Sequence, residues 1–273
     1  MIPAIARLEA TAVLRARWFL AALALSAGMV GFFVLVSVRE SSVLGFTGFG
    51  RVMGGVVQAS LLLLPLLATF STAQAITASQ QTGVLEWYLS YPNSRGRCFW
   101  SLFLPRLAAV ALPVVGAVLA LACGAAVLGE PVDPALLGVF TAVLLGQGTC
   151  FASLGMLASA VSRSPEQALL RGLVVWVACA VLVDFVILGL LLQWDVEPRV
   201  VFALAGLNPM QAGRIGVLAA VEPEMTALGP VGAWAVRTLG ARVVVAYGLG
   251  WPFAVGALAL AWARAAFERR DVV

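Results

Sequence analysis

Apolar positions along this chain do not alternate with polar ones; they gather into long blocks separated by short polar connections. A helix needs roughly 20 consecutive apolar residues to cross about 30 Å of hydrocarbon. Six blocks reach that length, at about residues 18–38, 52–76, 105–128, 135–161, 168–193 and 243–263. The pattern predicts an all-α integral membrane protein, a single transmembrane domain over residues 1–273 with six transmembrane helices. The first block exceeds the 7–15 apolar residues of a secretory signal, and Arg39 and Glu40 follow it, so it reads as a retained span.

The connections carry patterns of their own. Ahead of the first block, "IARLEATAVLRARWF" sets Ile5, Leu8 and Ala12 on one side of a helix and Arg7, Thr11 and Arg15 on another. This suits an N-terminal amphipathic helix lying in the membrane interface, or a simple basic anchor for the first span. "GEPVDP", with Glu130 and Asp133, marks a tight turn, and "SRSPEQ" closes the fourth block. Residues 194–242 form the one long connection, in which Asn208-Pro209 is a helix-start signal and "LGPVGAWAVRTLG" frames a second short helix between Gly-Pro and Gly. The expectation is a pair of short helices in the outer loop between spans five and six; an irregular loop is the alternative.

In residues 80–100, "QQTGVLEWYLSYPNSRGRCFW", Thr82 is placed to cap a short helix from Gly83. Val84, Leu85, Tyr88 and Leu89 form its apolar side and Glu86 its polar side. Pro92 stops it, because the residue before a proline avoids helical geometry. Asn93-Ser94 turns the chain, Arg95 and Arg97 meet the headgroups, and Trp100 sits at the interface. A short helix lying across two spans is a lever that moves both; the plainer reading is a basic loop without a partner.

Composition narrows the class. The chain is 62% hydrophobic and 11% charged, far below the roughly 25% charged content of soluble domains. All 17 basic residues are arginine, with no lysine and no histidine. Lacking lysine, the chain holds no phosphate-loop ATPase site; lacking histidine, it holds no Ser-His-Asp triad. If ATP is used, another chain binds it. The scattered arginines form no stripe for nucleic acid.

With the N-terminus inside, eleven arginines fall on the cytoplasmic side and six outside, and most acids fall outside. Both termini are therefore expected in the cytoplasm. Residues 80–100 face it too.

Asp184 is the one ionisable residue deep within a span, where a charge costs roughly 2.5–3.5 kcal/mol. It is either a cargo or gating contact, or an acid held by Arg51, Arg242 or backbone. Gln58 and Gln147, with Asp184, are candidates for a translocation path; glutamines also act as interhelical glue. Cys98, Cys123, Cys150 and Cys179 have no close spacing and suggest neither disulfides nor zinc. Met29, Met53 and Met156 are dispersed and Met210 and Met225 share the outer loop, so no copper site is expected on this chain and its metal sites are none.

The stretch "TGVLEWYLSYPNSR" resembles the G-T-L-E-x-L-L-S-x-P-x-S-R segment of ABC-2-type transporter permeases, matching at Gly83, Leu85, Glu86, Leu89, Ser90, Pro92, Ser94 and Arg95. It departs at Val84, where threonine is usual, and at Gln80 and Gln81, where acids are frequent. The amphipathic start, the six spans and the "FERRDV" ending agree with that family over essentially the whole chain. The resemblance implies a cytoplasmic coupling helix through which Gly83, Leu85, Glu86, Leu89, Tyr91, Pro92, Ser94, Arg95 and Arg97 meet an ABC ATPase. It also implies two ATPase copies carrying ATP and Mg, no cofactor and no catalysis on this chain, a second copy of the chain, and a bacterial inner membrane location. Within the family, "SYPNSR", "LNPMQAGRIGVLAAVE" and "LGPVGAWAVRTLG" are similar to permeases of nitrous oxide reductase maturation. That implies a periplasmic accessory protein docked at Asn208, Pro209, Met210, Arg214, Pro230 and Trp234, and a role in copper-centre assembly by moving a sulfur species or handling copper. The alternatives are an ABC-2 exporter of lipid, polysaccharide or drug-like cargo, and a membrane anchor or scaffold without an ATPase. A secondary carrier would show an internal repeat, and none is legible.

Overall fold

The computed structural model describes residues 2–17, 19–24, 26–28, 31, 49–90, 94–128, 133–193 and 196–270, and every regular element among them is helical. In chain order these are α1 (Ile2–Leu14), α2 (Phe19–Gly28), α3 (Phe49–Ala73), α4 (Ala75–Gln81), α5 (Val84–Ser90) and α6 (Arg95–Leu128). There follow α7 (Pro134–Val161), α8 (Pro165–Val177), a π-helix (Ala178–Leu182) and α9 (Val183–Gln193). Last come α10 (Pro198–Leu207), α11 (Pro209–Val221), a 3-10 turn (Thr226–Leu228), α12 (Gly229–Thr238) and α13 (Ala241–Arg269).

Five stretches are long and apolar enough to cross a membrane: Val57–Gln81, Arg95–Gly124, Pro134–Val161, Pro165–Leu190 and Ala241–Arg269. A sixth results if Arg7–Leu14 and Phe19–Gly28, bent by 58° to each other, are one broken span. Apart from residue 31, the rest of the expected first span, up to residue 38, lies outside the described residues.

Boundaries differ from the expected ones for local reasons. The second span continues past Ile76 to Gln81, with a break at Gln74 between α3 and α4. A helix start leaves its first N–H groups without intrahelical partners. Here Ile76 and Thr77 donate theirs to Ser159 Oγ of α7, at 3.0 and 3.3 Å. The third span begins not at residue 105 but at Arg95, in a 34-residue helix that absorbs Pro105 and Pro113. At 1.5 Å per residue α6 is about 50 Å long, so it projects well beyond the hydrocarbon.

The centre of the bundle is α7, packed between α3 and α13. Lipid gives helices little hydrophobic reason to associate, so close backbone approach across small residues does that work. A Cβ on Gly155 of α7 would lie 2.6 Å from the Thr69 carbonyl oxygen of α3, and one on Gly256 of α13 would lie 2.9 Å from Cys150 Cα of α7. Thr72 Oγ1 of α3 donates to the Ala152 carbonyl of α7 at 2.8 Å. Phe99, Phe103, Phe140, Phe151 and Phe267 are fully buried around this frame.

The loop between spans five and six is not an irregular cover. α10 and α11 form a helical hairpin whose tip, Asn208, enters the bundle. Asn208 N-caps α11 by accepting from the Met210 N–H at 3.0 Å, and Pro209 takes the first helical position, as the Asn-Pro signal predicts. The depth is set by the tip's partners. Gln147 Nε2, midway along α7, donates to the Pro209 carbonyl at 2.6 Å. Asn208 Nδ2 donates to the Cys179 carbonyl, midway through span five, at 2.6 Å. The hairpin therefore reaches about half the depth of the bundle from the end opposite α5. Above it, Phe202, Met225, Ala235 and Val244 form a small separate core with α12, and Trp234 packs on Phe202 with ring centroids 5.6 Å apart.

Candidate functional site

Two regions gather the polar groups that an all-apolar bundle would not need. The first is the junction around α5. Gly83 breaks the chain between α4 and α5 at φ +71°, in the left-handed region that suits glycine. Thr82 does not cap α5 as expected: its hydroxyl donates back to the Ala78 carbonyl of α4 at 3.0 Å, because it is the C-terminal residue of that turn. α5 buries Leu85 and Tyr88 completely or nearly so, half-buries Val84 and Leu89, and exposes Glu86 and Trp87. This is the face division expected from its sequence. Tyr91 and Pro92 lie outside the described residues.

Beneath α5 the structure assembles a polar group that the sequence did not announce. Glu9 of α1, only 8% exposed, forms an ion pair with Arg106 of α6 at 2.8 Å. Tyr88 Oη of α5 donates to Glu9 Oε1 at 3.2 Å. Burial, reinforced by the Glu9 charge, pushes the Tyr88 hydroxyl up to about 12. Thus α1, α5 and α6 meet at one carboxylate. On α1, Leu8 and Ala12 are exposed and Glu9 and Val13 are buried against the bundle, a second face that the apolar stripe does not single out. Hints were present in the sequence, as Glu9 is the lone acid before the first span and Arg106 interrupts an apolar block.

Arg95 and Arg97, both exposed, follow α5. Arg95 Nη1 donates to the Glu268 and Arg270 carbonyls at 2.9 and 2.7 Å, closing the C-terminal end of α13. Arg270 Nη1 in turn donates to the Ser159 and Ala160 carbonyls at the end of α7, each at 3.1 Å. These arginines satisfy carbonyls that helix ends leave open.

The second region is the seam between the hairpin and its neighbours. Asp184 of α9 pairs with Arg214 of α11 at 3.0 Å and not with Arg242, while the side chain of Arg51 lies outside the described residues. Gln147 is fully buried and binds the hairpin tip, which is the role of interhelical glue; Gln58 is exposed on α3. Of the residues expected to receive an outer partner, Asn208, Pro209 and Met210 are buried inside the chain, Arg214 is paired, Trp234 is half-buried and Pro230 is exposed. Met210 and Met225, each 0% exposed, belong to different cores. Among the described residues no three of His, Cys, Asp and Glu gather as a metal ion would require, and all four cysteines are free.

The ABC-2 family transporter protein model matches residues 3–272. The probable ABC transporter permease protein NosY of Stutzerimonas stutzeri is 28% identical over 253 residues, covering 90% of each chain. The protein of the same name from Pseudomonas aeruginosa is 28% identical over 263 residues, covering 90% of this chain and 96% of that one. The chain belongs to the ABC-2 transporter family.

Proposed function

We propose that this chain is the membrane half of an ATP-driven transporter, working as two copies with two cytoplasmic ATPase subunits seated against α5. The observation that carries the reading is the build of α5: a seven-residue helix set off by a left-handed glycine and tied to α1 and α6 through Glu9. Its side away from the bundle carries Glu86 and Trp87. A push on that side reaches three helices at once. The chain performs no covalent step; ATP and Mg belong to the partner, and what this chain supplies is a rigid contact and a route. α5 and both termini then face the cytoplasm, in keeping with the arginine bias of that side.

The cargo reading follows the NosY-like relatives and the hairpin segments: maturation of the nitrous oxide reductase copper centres, with a periplasmic protein on the outer end. Pro230, Ala233, Arg237 and Thr238 of α12 are exposed there and the hairpin tip is buried, so that face of α12, and not the tip, is the docking surface.

Co-purification from native membranes tests the reading. The wild-type chain should retain an ATPase, and Glu86→Ala with Trp87→Ala should reduce its recovery at least about tenfold while leaving the amount of chain in the membrane unchanged. Arg95 is unsuitable for this purpose because it anchors the end of α13. Equal ATPase recovery by both, or none by either, would overturn the assignment.

A further inference from the structure

Span five has two unlike halves joined by a π-helix. Its lower half, α8, packs on α3 and α7, with Gly172 so close to α3 that a Cβ would lie 2.7 Å from Thr69 Cγ2. Its upper half, α9, is different. Apart from the π-helix it continues, α10 is the neighbour that its backbone approaches. Phe185, Val186 and Leu188 are all more than half exposed. Between the halves, Ala178–Leu182 is wound as a π-helix, a local widening that is frequent at functional sites. Asn208 Nδ2 binds the Cys179 carbonyl within that widened turn.

The hairpin beside α9 is firmly held on its other side. Gly216 of α11 and Gly248 of α13 meet so closely that a Cβ on Gly248 would lie 2.6 Å from Gly216 Cα. Tyr247 Oη and Trp251 Nε1 of α13 donate to the Gly206 and Leu207 carbonyls that end α10, at 2.8 and 3.0 Å. Since α13 is itself clamped to α7, the hairpin, α13, α7 and α3 form one body, and α9 lies against it along one seam.

Of the buried side-chain polar atoms left without a hydrogen bond among the described residues, one lies in that seam: Asp184 Oδ1, on the carboxylate whose other oxygen pairs with Arg214. Buried polar groups are normally satisfied, and an unsatisfied one marks a place where the structure is held below its best arrangement.

We infer that α9 is a gate leaf that swings about the π-helix Ala178–Leu182, and that the Asp184–Arg214 ion pair is the latch holding it against the hairpin. The pair suits this purpose because both side chains are partly exposed, 40% for Asp184 and 23% for Arg214, so water entering the seam can take over its charges as it parts. Asp184 and Arg214 are positioning residues: they set the state of the gate and handle no cargo. The inference rests on the transporter reading, since a gate implies a cycle.

The test uses the permease with its ATPase in lipid nanodiscs, with the native cysteines replaced. Leu188→Cys of α9 and Val221→Cys of α11, which leave the Asp184–Arg214 pair intact, are joined by a bis-methanethiosulfonate reagent whose spacer matches their resting separation. Cross-linking should be fast without nucleotide and at least about tenfold slower in the vanadate-trapped state; the cross-linked complex should lose at least nine-tenths of its ATPase, and reductant should restore it. Equal cross-linking in both states, with hydrolysis untouched, overturns the latch. A second arm does not depend on the ATPase. Spin labels on Leu188→Cys of α9 and Val221→Cys of α11, both exposed positions, report the seam distance directly. Arg214→Gln should add a longer-distance population to the wild-type one, and one unchanged population in both overturns the hinge. If the parent complex hydrolyses no ATP while the spin labels still show two populations, the transporter reading fails and the hinge stands.

Discussion

Removing Glu9 should disconnect the three helices that meet at its carboxylate, and the size of the effect follows from the contacts. Glu9→Ala leaves the Arg106 guanidinium, 14% exposed, without its acid. Breaking a buried ion pair in this way costs about 3–5 kcal/mol. Arg106 Nη1 keeps its bond to the Leu102 carbonyl at 2.7 Å, which places the loss near the lower bound, about 3 kcal/mol. Tyr88→Phe removes one hydrogen bond to a charged acceptor, worth about 1.5–3 kcal/mol, and the 3.2 Å separation argues for about 1.5. Because the two changes delete the same bond, the double variant should cost about 3 kcal/mol and not their sum of about 4.5, a coupling of about 1.5 kcal/mol. SDS-driven unfolding in mixed micelles measures all four corners of this cycle. The same variants, assembled with the ATPase, should hydrolyse ATP without the response to cargo that intact coupling gives. Additive losses, or a Glu9→Ala cost below about 1 kcal/mol, would show that α1, α5 and α6 are not joined there.

Other outcomes follow from single contacts. Gly248→Ala drives a Cβ to 2.6 Å from Gly216 Cα and 2.7 Å from the Ala212 carbonyl oxygen, a backbone collision that should cost about 1–3 kcal/mol. Gly250→Ala, which meets nothing within 4 Å, should be neutral or stabilising by up to about 1 kcal/mol, and equal effects from the two would refute the packing. Ser159→Ala strips the acceptor from the Ile76 and Thr77 N–H groups, so amide exchange at those two positions should accelerate while the upper half of α3 stays protected. For Tyr88, the folded pKa stands above the ordinary value of 10.0, so its protonated form supports the α1–α5 contact fully below pH 10 and the support is lost as pH rises through about 12. Tyrosinate absorbance should show an ionisation near 12 that Tyr88→Phe removes; Tyr88 ionising near 10 would contradict the buried contact with Glu9.

What the sequence made legible was whatever follows from local pattern. Blocks of apolar residues specify spans, Asn208-Pro209 specifies the start of α11, and the order of Leu85, Glu86 and Tyr88 specifies the faces of α5. It was silent where a side chain's role depends on a residue far along the chain. Glu9 and Arg106 are 97 positions apart by their numbers, and no local signal pairs them. For the same reason the stripe through Leu8 and Ala12 of α1 is legible, while the burial of Glu9 on its other side is not. Arg95 matched a motif and its guanidinium closes a helix end, which shows that a motif position and a contact position need not coincide. The depth of the hairpin was likewise hidden, because Gln147, Cys179 and Pro209 meet only after three elements have folded.

The two polar regions differ in a way that bears on how one could drive the other. At the α5 end, the contacts that join elements are charge-assisted and repeated: Glu9 with Arg106, Arg95 with the end of α13, Arg270 with the end of α7. Hydrogen bonds to charged groups are about twice as strong as neutral ones and hold a fixed geometry. Displacement of α5 is therefore passed to α1 and α6 with little slack. At the hairpin end, the tip is held by neutral amide–carbonyl bonds and α9 by one partly exposed ion pair. Between them the α3–α7–α13 frame is locked by backbone contacts that tolerate no Cβ. A stiff connection at one end, a rigid frame through the middle and a weak seam at the other is the arrangement in which a small push yields at the seam and nowhere else.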